Sequence, residues 1–140
     1  MSRVINTNSP GKRRHYHMRT IAEILRHLAQ KQAVDDETKD MVATLAIALT
    51  AIDATVIESI TAWEKRNYWK KADEFQQKWF WASRLRTDIE NLVRADDWQQ
   101  LPDIMMKLYP HFADIEINKQ MRKADTWEGA YHELMTRLNR

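Results

Sequence analysis

Apolar residues recur along this chain at alternating intervals of three and four, which is the spacing of one face of an α-helix. The clearest run has intervals of 4, 3, 4, 3, 4, 3 and 4 and predicts a helix over 68–94. Its members are Tyr68, Ala72, Phe75, Trp79, Ala82, Arg86, Ile89 and Val93. Aromatic residues on both flanks widen this face, so the helix must pack against more than one neighbour.

Two further long helices are predicted before this one. Met18, Ile21, Leu25 and Leu28 share one face and predict a first helix over 14–32. A second helix is predicted over 36–66, with Asp35 and Asp36 at its start. Its apolar face consists of Val42, Leu45, Leu49, Ile52, Val56, Ile60 and Trp63. Alanines beside this face permit a close approach of the neighbouring helices.

No proline or glycine separates the second predicted helix from the third. A continuous helix over 36–94 would be about 90 Å long at 1.5 Å per residue, which is too long for a globular chain of this size. We therefore predict a tight break near Asn67, since asparagine tolerates the left-handed conformation. Without that break, the chain would form an elongated coiled-coil dimer.

The region after 95 has a more broken pattern. Pro102 suits the first turn of a short helix, and Pro110 begins a less regular segment that extends to about 121. The last helix is predicted to open at 125 or 126, where Asp125 and Glu128 can form a capping box. The fold class predicted is all-α: an antiparallel helical bundle of three long helices, with two or three shorter C-terminal helices.

Composition agrees with a helical, cytoplasmic protein. Two glycines and three prolines are too few for the turns of a β-rich fold. The absence of cysteine excludes disulfides and thiolate chemistry. The longest apolar run, over 41–52, is shorter than the roughly 20 residues of a membrane span, and no apolar segment of a signal peptide follows the first arginines. We expect no membrane association.

Positive charge is concentrated at the N-terminal end of the chain. Residues 1–31 hold seven Lys and Arg against Glu23, whereas the remainder holds fifteen bases and nineteen acids. Asn, Thr, Ser, Pro and Gly also follow one another over 6–11, which is typical of irregular structure. We therefore predict a flexible basic arm over 1–13 and a single helical domain over 14–140. The residues predicted to contact nucleic acid or an acidic partner are Lys12, Arg13, Arg14, Tyr16, Arg19 and Arg26. Alternatively, Arg19, Glu23 and Arg26 form an intrahelical ladder of ion pairs. A further alternative is that the acidic remainder of the chain is the partner of the arm, either in the same molecule or in a neighbouring one.

The aromatic residues are concentrated between 63 and 81. Most of them are expected to fill the core of the bundle. Trp69 and Trp81 point in different directions around the third helix, so we interpret them as candidate interface residues. A further alternative is a ligand pocket lined by aromatic side chains, namely Trp63, Trp69, Phe75 and Trp79.

One charged pair is predicted inside the bundle. Asp53 stands alone in the apolar part of the second helix, and Arg86 is the charged member of the face of the third. If these helices form an antiparallel hairpin that turns at Asn67, the two side chains come within reach of each other. Such a partly buried ion pair fixes the register of the two helices.

No catalytic, cofactor-binding or metal-binding residues are predicted. The histidines are scattered, no second histidine completes a zinc motif, and Gly11 and Gly129 cannot form a glycine-rich phosphate loop. We interpret the chain as a non-enzymatic helical adaptor or assembly protein whose partner is another protein or its own copy, as in a homodimer. The alternatives are a nucleic-acid-binding bundle that uses the basic arm and a small-ligand-binding bundle.

Overall fold

The computed structural model describes residues 9–140, and within this range the chain is all-helical and has no strand. The five α-helices are α1 (Pro10–Leu28), α2 (Asp36–Lys65), α3 (Trp69–Ala95), α4 (Leu101–Leu108) and α5 (Ala130–Leu138). Single 3₁₀ turns lie at Trp98–Gln100, Tyr109–His111 and Ala124–Thr126. The predicted all-α class is confirmed.

Helix α1 begins at Pro10, before the predicted start at 14. Ser9 is its N-cap, with a side chain that accepts from the Lys12 N–H at 3.3 Å, and Pro10 occupies the first turn. Both residue types are favoured at these positions, so the prediction of an irregular arm was wrong for 10–13. The rest of the predicted arm, 1–8, lies outside the described residues. The helix also ends at Leu28, before the predicted boundary at 32.

The connection between α2 and α3 turns at Asn67, as predicted. Asn67 adopts a left-handed conformation with φ 63°. The Asn67 N–H donates to the Glu64 carbonyl at 3.0 Å, and the Tyr68 N–H donates to the Trp63 carbonyl at 2.9 Å. These two bonds form a Schellman motif, which satisfies the last carbonyls of α2 and stops the helix without glycine.

Helix α2 is the central element, because α1, α3 and α5 all pack against it. Its alanines at 43 and 46 are fully buried, as is Ala82 of α3, so the backbones approach closely. Branched side chains fill the remaining space; fully buried examples are Ile21, Leu45, Leu49, Ile52 and Ile89. Most of the predicted apolar faces of the three long helices thus form one core. The prediction was wrong for Tyr68, which is 53% exposed beside the turn.

The C-terminal region differs in part from its prediction. Helix α4 has Pro102 in its first turn, as expected, but α5 begins at Ala130, after Gly129 with φ 79°. The predicted capping box at Asp125 is replaced by a 3₁₀ turn. Instead, Asp40 of α2 accepts from the Gly129 N–H at 3.3 Å and the Tyr131 N–H at 2.9 Å. A carboxylate from another helix therefore caps α5.

Helix α2 is the one described helix with the length and apolar character of a membrane span, with a mean hydropathy of 1.7 in its most apolar window. In that window, 61% of the residues are buried inside the fold. A central core helix passes the same test, so this feature is weak support for a membrane location.

Candidate functional site

The predicted contact residue Arg14 points into the fold rather than towards a partner. Its guanidinium lies 4.8 Å from the ring centre of Phe75 and 5.4 Å from that of Trp79. One nitrogen donates to the hydroxyls of Thr55 and Ser59, each at 3.3 Å. Burial lowers the pKa of Arg14, although an arginine remains protonated in a protein. Arg14 is therefore a packing residue that joins α1 to α2 and α3.

Arg13 is also engaged within the chain. Its guanidinium lies 2.7 Å from both carboxylate oxygens of Glu58 on α2. Two of the six predicted contact residues thus fasten α1 to its neighbour. The Arg13–Glu58 pair is an instance of the alternative in which the acidic remainder of the same chain is the partner of the basic residues. The individual partner residues were not predicted, because apolar periodicity does not report on pairs between helices.

Three of the aromatic side chains proposed to line a ligand pocket pack against one another, and Arg14 packs against two of them. The rings of Trp63 and Phe75 meet edge to face at 4.8 Å, and Phe75 lies 6.2 Å from Trp79. Arg14 covers Phe75 and Trp79 from the side of α1. Trp69 does not share this cluster; it lies beside the turn at Asn67, in an open groove with Tyr68 and two lysines.

The two candidate interface tryptophans differ in their surroundings. Trp81 stacks on His111 with ring centres 3.9 Å apart and also contacts Phe112 edge to face at 5.6 Å. It therefore packs against its own chain, and burial lowers the pKa of His111. Trp69, by contrast, is 60% exposed.

Trp69 belongs to an exposed aromatic face on α3. Phe80, which is 57% exposed, follows it by eleven residues, and at 100° per residue both side chains lie on the same side of the helix. Tyr68 and Ile57 are further large apolar residues exposed on the α2–α3 hairpin. We call Trp69 and Phe80 the aromatic face.

A buried carboxylate organises the other side of the molecule. The side chain of Glu23 is fully buried, and its Oε1 accepts from the backbone N–H groups of Met121 at 2.7 Å and Arg122 at 2.6 Å. Arg19 donates from Nε to its Oε2 at 2.7 Å. Burial alone would raise the pKa of Glu23, but these hydrogen bonds outweigh it and lower the pKa.

The irregular C-terminal segment is held against α1 by these and further contacts. Arg122 donates to the Thr20 hydroxyl at 3.0 Å and to the Tyr16 carbonyl at 3.1 Å, and its guanidinium lies 4.3 Å from the Tyr16 ring centre. Arg19 donates to the Lys119 carbonyl at 2.8 Å, and Arg26 to the Ile117 carbonyl at 2.9 Å. Arg26 therefore does not complete the predicted intrahelical ladder, although Arg19 and Glu23 do pair.

An open groove of about 460 Å³ results from this docking. It is lined by Lys12, His15, Tyr16, Arg19, Met121 and Arg122, and we call it the basic groove. Three of the predicted contact residues lie here: Lys12, Tyr16 and Arg19. Arg122 was missed, because nothing in its local sequence indicates that this segment returns to α1.

The predicted ion pair between α2 and α3 is present. Arg86 Nε lies 3.0 Å from Asp53 Oδ2, and Arg86 Nη1 lies 3.0 Å from Glu90 Oε1. Burial raises the pKa of Asp53, against the opposing influence of Arg86. Glu90, four residues after Arg86, was not included in the prediction.

Another groove, of about 400 Å³ and mainly apolar, lies between the α1–α2 loop and α4. Its lining includes Leu28, Val34, Trp98, Met105 and Tyr109. Burial raises the pKa of the Tyr109 hydroxyl. Within residues 9–140, no three His, Cys, Asp or Glu side chains are grouped closely enough to hold a metal ion.

Comparison of the chain with protein-family models, with curated proteins and with solved structures finds no significant match. The aromatic face and the basic groove are the two candidate binding surfaces of the described residues.

Proposed function

We propose that this chain is a non-enzymatic assembly protein of the cytoplasm, and that the aromatic face of α3 binds a second copy of the same chain. The observation that carries the proposal is the exposure of Trp69 and Phe80 on one side of the same helix. Large aromatic side chains are enriched in protein interfaces, where they contribute much of the binding energy.

The scaffold that we propose for this role is an antiparallel bundle of α1, α2 and α3. Two sets of contacts support it: Arg13 near the start of α1 meets Glu58 near the end of α2, and Asp53 meets Arg86 across the Asn67 turn. Such a bundle makes α3 an outer helix along which an aromatic face can be presented rigidly.

A two-fold arrangement of two α3 helices would suit this face. If the helices cross antiparallel at a point between Asp73 and Gln76, Trp69 of each copy meets Phe80 of the other. The centre then holds polar side chains, and both lysines and carboxylates surround it in the sequence 69–78. A surface with both signs of charge can be complementary to itself across a two-fold axis.

The expected affinity is modest. An aromatic side chain buries about 150–250 Å² when fully covered, and the four rings of the proposed contact are already partly packed. They supply only part of the roughly 1,200 Å² found at the lower limit of stable interfaces. We therefore expect a dimer that dissociates at micromolar concentrations.

Light scattering across a concentration series tests this proposal. The wild-type chain should approach twice 16.7 kDa at roughly 100 µM and fall towards the monomer mass at about 1 µM. Phe80→Glu should remain monomeric throughout. Met106→Glu is the matched control, because Met106 is also a large exposed apolar residue but lies on α4; this variant should dimerise as the wild type does. A wild-type monomer at every concentration, or a Phe80→Glu dimer, contradicts the proposal.

A further inference from the structure

The basic groove is lined by positively charged side chains. Only some of its residues were among the contact residues predicted from the sequence. None of the six residues that line it is acidic, and two are arginines that belong to segments about 100 residues apart. The exposed Lys12 has no carboxylate partner among the described residues. The pKa of the neighbouring His17 is lowered by burial and then by the charges of Arg122 and Arg13.

The two arginines of the groove are held in position by hydrogen bonds, and each has guanidinium N–H groups that are not used in these bonds. Arg19 uses three of the five N–H groups of a guanidinium, on Glu23 and two backbone carbonyls. Arg122 is held by Thr20, by the Tyr16 carbonyl and by the buried Glu23 carboxylate, which lies 3.8 Å from its Nη1. Its side chain is 14% exposed. A ligand that binds here therefore pays little entropy to order these side chains, and the remaining N–H groups suit phosphate oxygens.

Apolar surface lies directly beside these charges. Tyr16 is 57% exposed and Met121 is 56% exposed, and both line the groove. Proteins that bind single-stranded nucleic acid combine cations for the phosphates with aromatic and apolar side chains for the bases. A small inorganic anion such as phosphate would make no contact with the exposed Tyr16 ring or with Met121.

We propose that the basic groove binds single-stranded nucleic acid, with Lys12, Arg19 and Arg122 on successive phosphates and with Tyr16 and Met121 against a base. The site differs from the predicted arm, because Arg13 and Arg14 are turned towards α2 and the Met121–Arg122 segment completes it. It lies on α1, so it is independent of the aromatic face of α3.

Fluorescence anisotropy with a labelled 20-nucleotide oligothymidylate tests the proposal on the full chain. Three phosphate contacts predict a slope of about −2 for log affinity against log salt, so a change from 50 to 200 mM salt should weaken binding about 20-fold. Lys12→Glu should weaken binding about tenfold at 50 mM salt and reduce the slope by about 1. Because Lys12 is exposed on α1, the variant should fold normally, with an unchanged thermal midpoint.

Two controls separate the groove from general attraction to a cationic protein. Lys78→Glu makes the same charge change at an exposed site on α3 and should alter the affinity by less than twofold. Deletion of 1–8 leaves all of the described helices and should retain most of the binding. Lys12→Glu binding equal to wild type, equal weakening by Lys78→Glu, or loss of binding on deletion of 1–8 overturns the proposal.

Competition identifies the class of ligand. Unlabelled oligothymidylate should displace the probe at a lower concentration of charge than either duplex DNA or polyglutamate. Equal displacement by duplex would contradict the contribution of Tyr16 and Met121 to base contacts. Equal displacement by polyglutamate would contradict nucleic acid as the ligand and favour an acidic protein partner.

Discussion

The junction between α1 and the C-terminal segment differs in construction from the far end of the α2–α3 hairpin. At the junction, Glu23 is buried among partners that lie 98 and 99 residues away in sequence. At the hairpin end, Trp63 contacts Phe75, twelve residues on, while Trp69 and Phe80 stay exposed. The junction is held together by buried polar contacts between residues far apart in sequence. The end of the hairpin is held together by contacts between residues close in sequence, and it exposes aromatic side chains.

This difference indicates where the chain can tolerate change. Removal of a buried carboxylate that accepts several hydrogen bonds is strongly destabilising, because each buried donor left without an acceptor lowers the stability of the folded state. Exposed aromatic rings contribute little to the stability of the monomer and remain available to a partner. Stability should therefore depend on the junction, and association on the hairpin.

The largest effect is expected for Glu23→Ala. The substitution leaves the Met121 and Arg122 N–H groups and the Arg19 guanidinium without their acceptor. We expect a loss of about 3–5 kcal/mol in the free energy of unfolding, measured by denaturant titration. Glu74→Ala, which removes an exposed pair with Lys70, is the control and should cost less than about 0.5 kcal/mol. Similar losses in both variants would contradict the contrast between the regions.

The pH dependence of the stability difference between wild type and Glu23→Ala is a further test of the buried carboxylate. Because the folded-state pKa of Glu23 is lowered, its contribution is fully present above the ordinary glutamate pKa of about 4.3. It is lost as the pH falls through the lower folded value. The stability difference between wild type and Glu23→Ala should therefore shrink below about pH 4. A difference that stayed constant down to pH 2 would contradict the buried carboxylate.

A smaller effect is expected for Asp53→Ala within the hairpin. Arg86 keeps Glu90 as a partner and is partly exposed, so the loss should be about 1–2 kcal/mol rather than that of a fully buried pair. Asp53→Asn is the control. Burial raises the pKa of Asp53, so this residue favours stability at low pH and loses that contribution as the pH rises through the raised value. Asp53→Asn should therefore lower the free energy of unfolding at pH 7 by less than Asp53→Ala does. Equal losses would show that a hydrogen-bond acceptor for Arg86 at this position does not stabilise the fold.

The smallest effect is expected at the turn itself. Asn67→Ala places a side chain with a β-carbon but no local hydrogen bond in the left-handed conformation, which should lower the midpoint of thermal unfolding by the equivalent of about 1 kcal/mol. Asn67→Gly should leave it unchanged or raise it slightly. A larger loss for glycine than for alanine would show that the side-chain amide, not the backbone conformation, maintains the turn.

The hairpin could be predicted from sequence because its determinants are local or symmetric about the turn. The alternating intervals of α3 define its buried face, and the positions of Asp53 and Arg86 relative to Asn67 place them opposite each other. The start of α1 could also be predicted, since Ser9 and Pro10 are a favoured N-cap and first residue. The succession of Asn, Thr, Ser, Pro and Gly over 6–11 suggested an irregular arm instead.

The junction could not be predicted in this way. The spacing of Arg19 and Glu23 reports a contact along one helix, and that contact exists. It contains no information about Met121 and Arg122, whose segment has no periodic pattern to show which face it covers. The basic groove was therefore assigned only the residues from its N-terminal half.

The distance in sequence between Glu23 and its partners also has a consequence for synthesis. Met121 and Arg122 donate to a carboxylate that was translated 98 and 99 residues earlier. At about 5–20 residues per second, α1 waits for about 5–20 s on the ribosome before its acceptor can be satisfied. During that interval α2 and α3 can already pair through their short connection. The contacts of Glu23 on α1 therefore form only after α2 and α3 have been synthesised.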